Sequence, residues 1–370
     1  MKVLQVNKLY YPHIGGVEKV VQELAEGLSE EAEIRVLACQ PKGAGKEELI
    51  NQVPVYKVGS LGTYWSMPVA PSFPRHLRKH LKWADIAHFH FPFPLGDTSY
   101  LWVKKHVDVK TVVTWHCDIV RQKTLLKMYE PFLYKFLDTV DRIILTSPAP
   151  LENSPFLGEY KDKCRIIPLG IRNYWFEPSV GEVDEIQLPC EKTVLFVGRL
   201  CYYKGVEYLL DAVVDVDANL VIIGDGDLRE ELVGRARELG INERTFFLGS
   251  RTDEELRYWY NKADVLALPS VEPSEAFALV QAEAMAAGTP VVNTNLPTGV
   301  PFVSLHAKTG FTVQPRNSHQ LAEAINSIIQ SPSLTATFGR QAKERAKNLF
   351  SVEQMLKSTL ELYRDLLEDN

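Results

Sequence analysis

Residues 264–294, DVLALPSVEPSEAFALVQAEAMAAGTPVVNT, decide the fold of the second half of the chain. They begin and end with short apolar runs typical of buried strands. Between these runs lies an alanine-rich stretch with the composition of a helix, for which Ser274 is a plausible N-cap and Gly288, followed by Pro290, a plausible stop. Strand, helix and strand in this order predict two parallel strands joined by a helical crossover.

The same alternation runs along the whole chain. The candidate strands are KVLQV, EIRVLA, DIAHFHF, KTVVTW and RIILTS in the first half, and TVLFVGRL, NLVIIGDGDL, TFFLGS, DVLALPS, TPVVNT and GFTV in the second. A segment rich in Pro, Glu and Gly without a clear period, residues 172–191, separates the two sets and predicts a domain junction. A last amphipathic helix, from about Ser351 to Leu367, has no strand after it. We therefore expect an α/β protein with two doubly wound domains that face a shared cleft.

Length and composition agree with this organisation. A chain of 370 residues with 45% hydrophobic and 24% charged residues is long enough for two globular domains and too apolar for a disordered chain. Its five cysteines are scattered and form no Cys-x-x-Cys pair, which favours free thiols in a reducing compartment. No apolar run has the length of a signal peptide or a membrane span, so we expect a cytoplasmic protein.

Charge is distributed unevenly. Residues 1–170 hold 22 Lys+Arg against 18 Asp+Glu, whereas the remainder holds 19 against 29, within a net charge of -6. An acidic chain argues against a dedicated nucleic-acid binder. The mildly basic first half is compatible with phosphate-rich ligands or surfaces, and equally with uneven surface charge that has no function.

Two glutamates stand out in the opening stretch. Glu275 lies at the predicted helix start and Glu283 eight residues further on, which corresponds to roughly 12 Å along a helix axis. The two carboxylates could bind hydroxyl groups at the two ends of a ligand, while the free N–H groups at the helix start favour an anion. A ligand that consists of a hexose, a diphosphate and a ribose would suit this arrangement. Alternatively, Glu275 complements the helix dipole and Glu283 faces solvent, although the alanines and Met285 around Glu283 favour a helix enclosed by protein.

Other polar residues follow the predicted strands of the second half. Arg199 and Lys204 follow TVLFV and could hold a diphosphate or be exposed surface cations. Gly224 and Gly226 follow the next strand without the third glycine of a dinucleotide fingerprint. Ser250 follows FFLG and could line a base pocket or form a turn.

The first half offers fewer candidates. Gly15 and Gly16 lie between a strand and a helix, where the backbone could approach a ligand closely. His116 ends a strand and could bind a sugar hydroxyl or be structural. His88 and His90 share a strand face, but no third ligand nearby indicates a metal site.

Taken together, these motifs resemble glycosyltransferase family 4, the retaining nucleotide-sugar transferases of the GT-B fold. The resemblance rests on GGVE, TWHCD, GRL with KG, GDG and above all PSVEPSEAFALVQAEAMAAGTPVV, in the family's order along nearly the whole chain. It implies domains at 1–175 and 190–350, the second binding the donor nucleotide. It also implies that a helix at 351–370 crosses back to the first domain.

The resemblance also implies roles for single residues. Glu275 would bind donor-sugar hydroxyls, Glu283 the ribose, and Arg199 and Lys204 the diphosphate. Backbone N–H groups near Phe277, Ala278 and Leu279 would assist, His116 would lie against the sugar, and Gly16 would face the donor. Two departures are that Ala276 and Ala278 replace family glycines and that 298–310 lacks a glutamate common in the family. No Asp-x-Asp metal motif stands out, so neither a metal nor another cofactor is expected.

The implied reaction is hexose transfer with retention, by front-side attack of the acceptor as the diphosphate leaves. We expect Arg199→Ala or Lys204→Ala to lower turnover greatly with little loss of folding. Likeness to mannosyltransferase members favours GDP-mannose, with UDP-sugars open, and a glycan or lipid-linked acceptor of surface polysaccharide or glycolipid synthesis. The basic stretch at 70–83, APSFPRHLRKHLKW, suits an anionic membrane surface or is a solvated helix face.

Two other functions remain open. A nucleotide-sugar epimerase of similar fold would consume its donor without an acceptor. A catalytically silent sugar-nucleotide-binding subunit would bind the donor without transferring sugar.

Overall fold

The computed structural model describes residues 1–13, 15–64, 67–119, 123–178 and 186–368. Strands and helices alternate along most of the described chain. The strands are β1 Lys2–Val6, β2 Glu33–Cys39, β3 Lys46–Ile50, β4 Val53–Val58, β5 Thr63–Tyr64, β6 Met67–Pro68, β7 Ile86–Phe91, β8 Lys110–Trp115, β9 Arg142–Leu145, β10 Cys164–Ile166, β11 Thr193–Val197, β12 Asn219–Ile223, β13 Thr245–Gly249, β14 Val265–Leu268, β15 Val291–Thr294 and β16 Gly310–Val313. The helices are α1 Gly16–Gly27, α2 Phe73–Leu81, α3 Pro94–Val103, α4 Lys123–Thr139, α5 Ala149–Asn153, α6 Val206–Val213, α7 Arg229–Glu238, α8 Asp253–Lys262, α9 Leu279–Ala287, α10 Val300–Val303, α11 Ser318–Ile329, α12 Pro332–Leu349 and α13 Val352–Glu368.

The chain divides into two compact units. The first unit comprises Met1–Leu169 together with the chain from Glu353 onward, and the second comprises Gly170–Val352. Residues 170–175 therefore group with the second unit rather than with the first domain expected at 1–175. The reason is local, because the N–H of Ile171 donates to the carbonyl of Phe350 at 2.7 Å and the N–H of Val352 donates back to Ile171 at 3.0 Å. Of the predicted junction at 172–191, residues 179–185 lie outside the described residues.

The first unit is built on an eight-stranded sheet of order β10-β9-β8-β7-β1-β2-β4-β3. All neighbouring strands are parallel except β3, which runs antiparallel to β4 at the edge. Its apolar core includes residues of α2, α3, α4 and the central strands. Strand order reverses between β1 and β7, and at such a switch point the loops at the carboxyl ends of the strands diverge and leave a crevice.

The second unit carries a six-stranded, fully parallel sheet of order β13-β12-β11-β14-β15-β16. Within the unit this is the order 3-2-1-4-5-6 of a doubly wound nucleotide-binding fold. Its four central strands are largely apolar and almost completely buried, as parallel strands covered by helices on both faces must be. The switch point lies between β11 and β14, so the loops after these two strands are the expected ligand-binding loops.

Helix α13 packs on the first unit through side chains along its length. Leu356 contacts Gly27, Tyr363 contacts His88 on β7, and Arg364 forms an ion pair with Glu31 at 3.0 Å. None of the described helices is long and apolar enough to cross a membrane.

Candidate active site

The loops after β11 and β14 meet at the switch point of the second unit. Neighbouring strands β11 and β14 pair in parallel, so both loops leave the same edge of the sheet. The N–H of Val271 donates to the carbonyl of Tyr203 at 2.8 Å and joins the two loops. Gly205 is left-handed with φ 64°, and a Cβ there would lie 2.3 Å from the carbonyl oxygen of Pro269, so only glycine permits this approach.

These loops bring Lys204 and Glu275 into direct contact. Lys204 Nζ lies 2.6 Å from Glu275 Oε2, and both side chains are more than 90% buried. The Ser270 hydroxyl donates to the same carboxylate oxygen at 2.9 Å. Burial, followed by the negative charge of Glu275, raises the pKa of the neighbouring Tyr203. The prediction from the sequence treated Lys204 and Glu275 as independent ligand-binding residues, whereas in the structure they form a buried ion pair.

Arg199 differs sharply from Lys204. It is exposed, and its side chain forms no hydrogen bond or ion pair with any residue that the structure describes. Its guanidinium therefore has all of its donors available to a ligand. The exposed position fits the expectation that Arg199 can be replaced without loss of folding, but the buried pair contradicts that expectation for Lys204.

The helix start differs from the sequence prediction. Helix α9 begins at Leu279, and its N-cap is Ala278, which is left-handed with φ 60° and ψ 75°. Ser274 is therefore not the N-cap, and Glu275 lies in the turn before the helix, where its N–H donates to the carbonyl of Glu272. The roughly 12 Å helical spacing between the two glutamates does not apply, because residues 275–278 are not helical.

The segment that precedes α9 is nevertheless firmly held. Phe277 is buried, and its ring packs against that of Phe350 at a centroid distance of 5.7 Å. The N–H of Gly299 donates to the carbonyl of Ala276 at 2.7 Å. No described residue accepts a hydrogen bond from the backbone N–H of Phe277, Ala278 or Leu279. These donors are the orphan groups of a helix start and suit an anionic ligand.

Glu283 lies inside the protein, as the surrounding alanines indicated. It is buried, and the hydroxyl of the fully buried Tyr260 donates to its Oε2 at 2.9 Å. Burial and the charge of Glu283 raise the pKa of Tyr260 well above its ordinary range. The structure thus rejects the solvent-facing alternative for Glu283.

The glycines after β12 have a packing role. Cβ atoms at Gly224 and Gly226 would lie 2.0 Å from the carbonyl oxygen of Gly198 and 2.3 Å from that of Leu200. They therefore allow the loop after β12 to lie directly against the loop that carries Arg199. Ser250 is exposed at the end of β13, next to this loop through the Gly224–Gly249 bridge.

In the first unit, Gly15 caps α1 and Gly16 is its first residue, at the loop after β1. A Cβ at Gly16 would meet no described atom within 4 Å. Ile14, which precedes them, lies outside the described residues.

His116 follows β8 and is buried against His90. His116 Nε2 lies 3.1 Å from His90 Nδ1, while the other nitrogen of His90 contacts Gln5 Oε1 at 2.9 Å. His116 is thus the third histidine of this cluster, and a hydrogen bond holds its ring against that of His90. Burial lowers the pKa of His116 to about 4 and that of His88 to about 3, so these rings are neutral. Within the described part of the chain, no group of three acidic, cysteine or histidine side chains is placed to hold a metal ion.

Sequence reasoning missed four polar partners at these sites. They are Ser270, Tyr260, Gln5 and Tyr363, each of which hydrogen-bonds a predicted or neighbouring site residue. Gln5 carried a usable signal, because it is a polar residue within the buried strand KVLQV. The other three lie in contexts typical of turns or amphipathic helices and carry no such signal.

Comparison with known proteins assigns the chain to a family. A model described as Glycosyltransferase Family 4 matches residues 14–172, and one described as Glycosyl transferases group 1 matches residues 185–345. The chain belongs to glycosyltransferase family 4. The recognition made from the motifs is confirmed.

Two relatives and two solved structures match this glycosyltransferase along nearly its full length. O-antigen chain mannosyltransferase C of Escherichia coli is 30% identical over 377 residues, covering 100% of this chain and 99% of the relative. D-rhamnosyltransferase WbpZ of Pseudomonas aeruginosa is 30% identical over 361 residues, covering 95% and 92%. Sucrose-phosphate synthase from Thermosynechococcus elongatus superposes with a TM-score of 0.80 at 21% identity and covers 100% of both chains. HepE of Anabaena in complex with UDP gives 0.80 at 20% identity and covers 99% and 100%. The predicted GT-B fold of two Rossmann-like domains is confirmed.

Proposed function

We propose that this glycosyltransferase is a retaining, metal-independent hexosyltransferase of polysaccharide or glycolipid synthesis. It takes the hexose from a nucleotide-diphosphate sugar, preferentially GDP-mannose, and transfers it to a glycan or lipid-linked acceptor. The observation that carries the proposal is the buried Lys204–Glu275 pair beside the exposed Arg199, at the switch point of the second unit.

The pair suggests a division of labour among these three residues. Lys204 and Ser270 both contact Glu275 Oε2, and no described residue donates a hydrogen bond to Oε1. Oε1 can therefore accept a hydrogen bond from a hydroxyl of the donor sugar. Because Glu275 already neutralises Lys204, Arg199 supplies the net positive charge for the diphosphate. The backbone N–H groups at residues 277–279 add to that charge.

Front-side attack, which the family resemblance implies, is compatible with this charge arrangement. The bond between the anomeric carbon and the diphosphate oxygen breaks, and the acceptor oxygen bonds to the anomeric carbon on the same face. The acceptor proton passes to the leaving diphosphate oxygen. Arg199 stabilises the charge that develops on the diphosphate, and Glu275 holds the sugar in place.

The donor preference rests on the names of the relatives. The two full-length relatives at 30% identity are named for the transfer of mannose and D-rhamnose, which is 6-deoxymannose. Both sugars have the manno configuration. The complexes of HepE with UDP and UDP-glucose come from a fold neighbour of only 20% identity and carry no argument about the base.

An apolar cavity in the first unit supports a lipid-linked acceptor. It has a volume of about 580 Å³ and lies at the carboxyl ends of β1, β7 and β8, with Lys8 as its cation. Apolar side chains of α4 line it and remain exposed, most of all Met128 at 72% and Phe132 at 49%. An isoprenoid chain would bury this surface, and Lys8 would face its diphosphate.

Membrane contact through the basic stretch 70–83 would be electrostatic. Helix α2 buries Phe73, Leu77 and Leu81 in the core, while Arg78 and Lys79 are exposed. Trp83 is covered by the Arg35 guanidinium at 3.9 Å from its ring. The apolar side chains of the stretch are therefore engaged within the protein, and the exposed cations are what an anionic surface would meet.

The test uses the purified full chain with GDP-mannose, UDP-glucose and UDP-galactose, each with and without acceptor. Two acceptors are compared, a saccharide linked to a lipid diphosphate and the same saccharide free in water. Each acceptor is assayed once in EDTA and once in Mg²⁺. Mass spectrometry should show one hexose added from GDP-mannose to the lipid-linked acceptor in either condition. The anomeric coupling in the NMR spectrum of the product should show the configuration of the donor.

Each alternative predicts a different result. Donor isomerisation without acceptor would establish an epimerase, and donor binding without transfer to either acceptor would establish a silent subunit. A product of inverted configuration, or a product that forms in Mg²⁺ but not in EDTA, would overturn the proposed mechanism.

A further inference from the structure

A chain of buried hydrogen bonds links helix α13 to His116 in the first unit. Gln5 Nε2 donates to the Tyr363 hydroxyl at 3.2 Å, and this hydroxyl lies 2.5 Å from His88 Nδ1. His88 Nε2 contacts Thr114 Oγ1 at 2.6 Å. On its other side, Gln5 Oε1 contacts His90 Nε2, and His90 Nδ1 contacts His116 Nε2. All of these side chains are at least 90% buried.

Burial keeps the histidines of this chain neutral. It lowers the pKa of His88 and His116 to about 3 and about 4, and it lowers the pKa of His90 well below its ordinary value. A neutral imidazole carries one N–H and one lone pair, so each ring can donate through only one nitrogen. The direction of one hydrogen bond in the chain then determines the direction of the next.

Gln5 sets that direction. Because its amide nitrogen donates to Tyr363, its oxygen faces His90 Nε2, which must carry the proton. His90 Nδ1 is then a lone pair and must accept from His116 Nε2. The remaining nitrogen of His116, Nδ1, is left unprotonated. It has no hydrogen-bond partner among the described residues, and it is not one of the buried unpartnered atoms.

We propose that Tyr363, Gln5 and His90 are positioning residues that fix the tautomer of His116, so that its Nδ1 acts as a hydrogen-bond acceptor toward a ligand. Given the proposed function, that ligand is the nucleotide sugar, and a sugar hydroxyl donates to Nδ1. His116 is then a hydroxyl-binding group rather than a proton donor. Helix α13 controls this property from the far end of the chain, since its Tyr363 orients the Gln5 amide.

The tautomer can be measured directly, without substrate. The full chain with ¹⁵N-labelled histidine is studied at pH 7.5 by long-range ¹H–¹⁵N correlation, and the His116 signals are assigned by their loss in His116→Asn. We expect His116 Nε2 to have the shift of a protonated ring nitrogen and Nδ1 that of an unprotonated one. The reverse pattern in the wild-type protein would overturn the proposal.

Two variants test which residues impose the tautomer. Tyr363→Phe removes the hydroxyl that orients Gln5, and Gln5→Met removes the acceptor of the His90 proton. Each should shift the His116 signals toward a mixture of both tautomers. Tyr160→Phe is the matched control, because it removes another buried tyrosine hydroxyl of the same unit, bonded to Asp138 at 2.8 Å, outside the chain. A single unchanged tautomer in Tyr363→Phe and Gln5→Met would show that these residues have no positioning role.

Kinetics separate positioning from damage to the fold. An equal mixture of tautomers halves the competent population and raises the KM for the donor about twofold, and full reversal raises it about tenfold. Because the contact is made equally in the ground and transition states, kcat should change little. A lowered kcat with unchanged KM would indicate structural damage and contradict positioning.

The failure of the proposed function would look different from the failure of this inference. If the tautomer is as expected but donor addition leaves the His116 signals unchanged, the sugar contact is wrong and the positioning chain stands. In the other case, Nδ1 is already protonated in the free protein and donor addition shifts its signal. The sugar contact then stands, and the buried hydrogen bonds run in the direction opposite to the one proposed.

Discussion

Replacing Lys204 with methionine should destabilise the second unit strongly, because it leaves Glu275 buried without its counter-charge. Both side chains are more than 90% buried and their charged atoms lie 2.6 Å apart. Breaking such a pair from one side costs about 3–5 kcal/mol. For a unit of this size that corresponds to a fall in Tm of roughly 6–20 °C. Glu275→Gln should cost a similar amount, since it leaves the lysine unpaired.

The double variant tests whether the lost stability comes from an unpaired buried charge or from altered packing. Lys204→Met with Glu275→Gln removes both charges and keeps both volumes, so it should recover most of the lost stability while transfer activity stays lost. Arg251→Met is the control, because Arg251 forms a half-exposed ion pair with Glu255 at 2.9 Å, and its loss should cost no more than about 1 kcal/mol. Calorimetry of the full chain measures the Tm and the stability of the wild-type protein and of the four variants. The reasoning is refuted if Lys204→Met costs no more than Arg251→Met, or if the double variant is as unstable as the sum of the singles.

Three further outcomes are expected. Arg199→Ala should lower kcat by about 100-fold or more while unfolding free energy changes by less than about 0.5 kcal/mol, because Arg199 is exposed; near-normal transfer rates would contradict its role. Burial lowers the pKa of His88 to about 3 and of His116 to about 4, so the unfolded state binds protons that the folded state does not once the pH drops below about 6.5. Stability of the first unit should therefore fall from about pH 6.5 toward pH 4, and a flat calorimetric profile over that range would rule this out. Burial raises the pKa of Asp97 to about 8, and its carboxyl group accepts a hydrogen bond from Tyr129. Between about pH 4 and pH 8 the folded state therefore holds a proton that the unfolded state loses, and the wild-type protein loses stability as the pH rises through this range. Asp97→Asn should accordingly raise Tm more at pH 8.5 than at pH 5, and an equal change at both values would argue against a neutral Asp97.

Most of the fold could be predicted because its strands are buried on both faces. Parallel strands covered by helices are short, continuous apolar runs, and eleven of them carried that signal well enough to be placed within a few residues. The edge strand β3 and its neighbour β4 were missed, since KEELI is polar and VPVYKV contains a proline. Their hairpin gave no warning either. Its turn residues, Asn51 and Gln52, both have positive φ, and glutamine rarely takes the position where glycine is expected.

The candidate site residues were predicted singly and not as a set of contacts. Lys204 and Glu275 are 71 positions apart, and only the strand order β12-β11-β14 places their loops together. The start of α9 was wrong because the segment around Glu275 has good helix formers. Alanine at 278 takes a left-handed conformation there that its sequence context does not indicate. Tertiary contacts, including the bond from Gly299 to Ala276, override the local preference.

The ion pair changes how the charge of a diphosphate would be balanced. Two cations after β11 suggested two positive charges for the leaving group, but Lys204 is already neutralised by a carboxylate that Ser270 also holds. One net positive charge, on Arg199, then remains to offset a diphosphate with two. The backbone N–H groups of residues 277–279 would have to supply the rest, and no described residue accepts a hydrogen bond from them. The left-handed Ala278 ends the helical spacing between the glutamates and places the start of α9 directly after these groups, where we expect the anion to bind.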